Sequence, residues 1–152
     1  MIQRVQSIYL LTASILTLCL FCTPFANLLI DGVATSTTVC HLKPAVGNLP
    51  STVMIPLAII ALAAAIICLI TIFLYKNRTL QMRICKLNIA LQLIIVAGMV
   101  AYALGLAKTA GAESMNLKMA MAFPVISIVL QVLAYKGVKK DDDLVRSVDR
   151  LR

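Results

Sequence analysis

Cys19-Leu20-Phe21-Cys22 is the one pair of cysteines in this chain at redox spacing. Two thiols three residues apart can close a disulfide and pass two electrons, provided one of them can form a thiolate. A second group is made of amides. Asn88 and Gln92 stand four apart, so they share one helix face, and Gln131 lies on a later apolar segment. Neutral amides can line a polar site between helices, or can simply bond helix to helix, at about 0.6–2 kcal/mol each. The plainer reading, helix-to-helix bonding, is favoured here. His41 beside Cys40 supplies two possible ligands, which do not complete a metal site, so no metal and no cofactor is expected. The chain has one histidine and six acidic residues. It has no phosphate-cradling glycine loop, no hydrolase-like Ser/His/Asp set and too few carboxylates for paired acid–base work.

The elements that must hold these residues are apolar. No Lys, Arg, Asp or Glu lies between Arg4 and Asp31, Lys43 and Lys76, Lys86 and Lys108, or Lys118 and Lys136. A helix crosses the hydrocarbon core with roughly 20 apolar residues. Three of these stretches reach that length, and Met119–Tyr135 falls slightly short. Hydrophobic residues make up 61% of the 152, and mean hydropathy is +0.97, far from a soluble globular domain. Backbone groups in lipid must pair within their own segment, which calls for helices. Ile55–Ile70 is apolar all round, unlike a barrel strand.

The net charge of +8 is explained by its distribution rather than by nucleic-acid binding, and no nucleic acid is expected as a partner. Arg4, the loop Lys76–Lys86 and the tail from Lys136 hold 11 of the 14 basic residues. The positive-inside rule puts that set, and with it both termini, in the cytoplasm. Lys43, Lys108 and Lys118 fall outside. The first apolar run, Val5–Ile30, is too long for a signal h-region and is read as a retained helix.

The expected architecture is all-α: residues 1–138 form a four-span transmembrane bundle, and 139–152 a short cytoplasmic amphipathic helix. The spans are placed at about 3–29, 51–75, 79–106 and 117–138. Pro24 kinks or ends the first, and the loop Asp31–Ser51 has room for a short hairpin. Gly98, Ala101 and Gly105 on the third span, and Ala61 and Ala65 on the second, allow close helix approach. In the tail, Leu144, Val145, Val148 and Leu151 fall on one helical stripe, with Arg146, Arg150 and Arg152 around it. Such a helix is marginal alone and needs something to pack on. The basic loop residues Lys76, Arg78, Arg83 and Lys86 set topology or meet anionic headgroups, or else Arg83 and Lys86 cradle Asp141–Asp143 of the tail.

Four-span thiol oxidoreductases that reduce quinone have about this length and also keep their termini in the cytoplasm. On this span assignment, however, Cys19 and Cys22 sit near mid-span, where a thiolate is costly, and the second outer loop has no cysteine to complete a relay. Small apolar packing residues are therefore the favoured reading of the cysteines.

The opening Met1-Ile2-Gln3-Arg4-Val5-Gln6-Ser7-Ile8-Tyr9-Leu10, the loop from Tyr75 to Asn88, and the ending Leu144-Val145-Arg146-Ser147-Val148-Asp149-Arg150-Leu151-Arg152 resemble a family of small four-span proteins of unknown function from Bacteroidota. The resemblance covers nearly the whole chain, and the ending is its most specific part. It implies a bacterial inner membrane and no particular activity. The balance is against an enzyme. The function expected is a non-enzymatic accessory or scaffold subunit of an inner-membrane assembly, touching membrane lipids and docking a membrane or cytoplasmic protein through its cytoplasmic face. The alternatives are a thiol–quinone redox enzyme on Cys19 and Cys22, and a small-molecule or lipid carrier lined by Asn88, Gln92 and Gln131.

Overall fold

The computed structural model describes residues 2–30, 33–40, 42–43, 55–74, 77–109 and 114–150. Four helices, α1 (Ile2–Cys19), α2 (Ile55–Phe73), α3 (Arg78–Thr109) and α4 (Ala122–Arg150), dominate it. Four short strands complete it: β1 (Ala26–Ile30), β2 (Val33–Thr37), β3 (Leu42–Lys43) and β4 (Ser114–Leu117). The helices pack in a ring. α1 lies against α2 and α4, and α3 against the same two.

Small side chains set the spacing within the ring. Ala13, Ala61, Ala64, Ala65, Ala103 and Ala134 are all buried. At Gly98 a Cβ would come within 2.7 Å of the Leu57 side chain, so this glycine lets α2 close on α3. Its expected companions do not take part: Ala101 is exposed, and Gly105 faces open space.

The surface of the ring is apolar. Ile8, Ile15, Ile59, Ile66, Leu93, Ile94 and Val129 all point outward. Its interior carries Ser14, Thr17, Thr71, Gln81, Asn88, Gln92, Ser127 and Gln131. A soluble domain puts large aliphatic groups inside. The reverse arrangement costs nothing where the solvent is hydrocarbon. Three helices are long and apolar enough to cross a membrane: α2, α3, and Met119–Val145, which includes most of α4. In α1 the apolar part is the shorter Val5–Cys19.

The first helix therefore ends ten residues before the expected boundary at 29. Thr17 and Thr23 turn their hydroxyls back on Ala13 O (2.8 Å) and Cys19 O (2.7 Å). The amides of Cys22 and Thr23 also close on Cys19 O. The residue before a proline avoids helical backbone, so Thr23-Pro24 terminates the turn. The chain then re-emerges as β1.

The architecture is thus mostly helical with a small sheet, rather than all-α. The sheet order is β3-β2-β1-β4, antiparallel throughout. β1 pairs with β2 from Ala26↔Thr37 to Ile30↔Val33. A hairpin is present, but one of its strands comes from the segment assigned to the first helix. β4, from the connection between α3 and α4, pairs along the other edge of β1. Burial alternates along these strands: Ala26 and Leu28 on β1, and Thr35 and Thr37 on β2 with Val39 beyond it. With Phe25 and Leu20 the apolar members pack on Leu57, Ile95, Met99 and Leu106, so the sheet seals one end of the ring.

The expected tail helix is helical to Arg150, but it is not a separate element. α4 runs 29 residues, about 44 Å, without a break.

Candidate functional site

Three places bring together side chains with chemistry to offer. The first is the end of the ring opposite the sheet. Gln6 on α1 donates from Nε2 to Asp141 Oδ2 at 2.9 Å. Arg78, at the start of α3, donates from Nη1 to the Asp141 carbonyl at 3.0 Å. Asp142 then lines a cleft of about 450 Å³ with Asn77, Arg78, Thr79, Leu80 and Arg83. The beginning of the tail is thus clamped on its own loop. The partners differ from the expected cradle in two respects. Arg78 supplies the hydrogen bond, and the Lys86 ammonium lies 5.4 Å from the Tyr135 ring centroid, a cation–π distance, instead of meeting an aspartate. Asp143 turns to a second cleft with Lys136, Lys139, Lys140, Leu144 and Ser147.

Beyond the clamp, Leu144 and Val145 are 53% and 45% exposed. Arg146, Val148 and Arg150 lie on the same helix, with side chains outside the described set. Leu151, Arg152 and Lys76 lie outside the described residues, as does His41.

The second place is inside the ring. Gln92 on α3 donates from Nε2 to Thr17 Oγ1 on α1 at 2.7 Å. Thr17 donates to Ala13 O, and Ser127 on α4 donates to that same carbonyl at 3.2 Å. Three helices are thereby joined through one backbone oxygen. Asn88 is one turn from Gln92, and Gln131 one turn from Ser127; all four are buried. Asn88 neighbours Cys68 on α2, whose thiol is directed to Leu10 O at 3.1 Å. Of the three amides singled out by type and spacing, Gln92 bonds directly between helices, while Asn88 and Gln131 make no hydrogen bond of full geometry to protein.

The third is the cysteine pair. Cys19 is the last residue of α1 and half-buried, and Cys22 is exposed on the turn that follows. The pair therefore stands at the sheet end of the helix, not near the middle of a span. Both thiols are free, as are Cys40, Cys68 and Cys85, the last two buried. Among the described residues no three His, Cys, Asp or Glu side chains gather as a metal site would require.

Sequence reasoning missed Gln6 and Gly137. A Cβ at residue 137 would lie 3.0 Å from Gln6 Nε2, so the glycine is what admits the glutamine. The available signal was a glycine inside an otherwise unbroken helical segment.

A sequence model described as Domain of unknown function (DUF4293) matches residues 2–151. The chain belongs to that family. The match spans both clefts, the buried amides and the cysteine pair of this DUF4293 chain, so all three places lie within the family's domain. No curated protein matches it.

Proposed function

We propose that this DUF4293 chain is a four-span protein of a bacterial inner membrane, both termini cytoplasmic, that serves as a non-enzymatic accessory or scaffold subunit. Its docking face is the extension of α4 with the adjoining start of α3. One observation carries this reading: α4 leaves the ring as an unbroken helix, clamped at Asp141 by Gln6 and Arg78. A clamped helix holds Leu144 and Val145 out in a fixed direction, with little ordering entropy left to lose on docking. The occupant that fits is a protein surface with an apolar groove and an acidic rim, because Arg146, Arg150 and Arg152 flank the apolar stripe in sequence.

The test is co-purification from native membranes in mild detergent, comparing the intact chain with one ending at Lys140. Specific proteins should follow the intact chain alone. Recovery of the same proteins with both chains, or of none with either, removes the docking role.

A second reading has an observation of its own. Cys19 and Cys22 at the end of α1, with Cys22 exposed, suit a dithiol that gives two electrons and two protons to a quinone, leaving a disulfide and a quinol. Native mass spectrometry under oxidising conditions decides it. Both thiols found reduced would exclude a working disulfide.

A further inference from the structure

Six buried polar side-chain atoms inside the ring make no hydrogen bond of full geometry to protein: Ser14 Oγ, both amide atoms of Asn88, Gln92 Oε1 and both amide atoms of Gln131. None of these four residues is more than 1% exposed. The three helices that carry them are joined by the chain of bonds from Gln92 through Thr17 to the Ala13 carbonyl and Ser127. Ser14 follows Ala13, Asn88 lies one turn from Gln92, and Gln131 one turn from Ser127. A buried amide with no partner is costly, and an apolar side chain of the same shape would avoid the cost. Four residues on three helices, two of them amides with both polar atoms unsatisfied, therefore point to a guest.

The donor and acceptor set identifies its class. The Asn88 and Gln131 amide nitrogens donate, three amide oxygens accept, and the Ser14 hydroxyl does both. Among the described residues no charged side chain is buried beside them. A cation here would face amide hydrogens and find no carboxylate. An anion would face three oxygens and find no basic group. The fitting guest is neutral, and donates and accepts at once. We propose that Ser14, Asn88, Gln92 and Gln131 form a binding site for ordered water inside the ring, and that α3 and α4 are joined to α1 partly through that water. Water held by two to four polar partners bonds nearly as well as a direct contact.

The experiment uses the full chain in lipid bilayers, with nitrogen-labelled asparagine and glutamine, and reads magnetisation passed from water to side-chain amides by solid-state NMR. Asn88 and Gln131 should receive it at short mixing times, and Asn88→Leu should remove the first signal. Both amides staying dark while Gln6, at the end of the ring, receives it would overturn the proposal. The companion variant Gln131→Met keeps the shape and removes the hydrogen bonds. It should lower the melting temperature and weaken the transfer to Asn88. A raised melting temperature with Asn88 unchanged would mean a dry site. A stoichiometric organic molecule extracted with the wild-type chain, and lost from Gln131→Met, would overturn water in favour of a carried ligand.

Discussion

Gly137 and Gln6 act as one unit. Glycine inside a helix costs about 0.5–1 kcal/mol relative to alanine, yet here its missing side chain is the space that Gln6 fills on its way to Asp141. Gly137→Val should therefore lower stability by about 1–3 kcal/mol, as overpacking does, measured by thermal unfolding in detergent. Gln6→Ala alone should cost about 1 kcal/mol. The double variant should cost less than the sum, because the valine has nothing left to displace. Additive losses would show that the glycine is there for another reason. Residue type revealed the buried amides in advance, because a polar side chain in an apolar run must turn inward in lipid. It did not single out Gln6, which stands at the very start of the apolar run, two residues after Arg4.

At the scale of elements, charge and hydropathy located the helices and misplaced two boundaries. α2 and α3 lie close to their expected ranges. The first misplaced boundary is the end of α1. Ala26–Ile30 is apolar enough to extend a span, and a short apolar run cannot be assigned to helix or buried strand by periodicity. Thr23-Pro24 was the available stop signal. The second is the end of α4. The change from apolar residues to Lys139-Lys140-Asp141 looks like a domain border, but polarity does not stop a helix. Between Gly137 and Arg150 there is no proline or glycine to stop it, so the helix continues. The sheet was only half visible, because the partner of β1 on one side, β4, lies some 90 residues away, and a long-range pairing leaves no local mark.

For the whole molecule, the outward aliphatic surface, the inward polar groups and three helices long and apolar enough to cross a membrane are consistent with hydrocarbon around the middle of the ring. On the proposed topology, a membrane-impermeant maleimide added to spheroplasts should modify Cys22 and leave Cys68 and Cys85 untouched. A cysteine introduced by Leu144→Cys should react only after the membrane is opened. Labelling of residue 144 from outside would reverse the orientation, and with it the docking face. The sheet that closes one end carries a consequence for the order of assembly. β1 and β2 belong to the connection between α1 and α2, and β4 to that between α3 and α4, so the cap cannot be finished until α3 has been synthesised and the segment after it delivered to the same side. Until then β1 presents an open strand edge, an invitation to mispairing. On the proposed topology, completion of the sheet is therefore a record that the third helix went in the right way round.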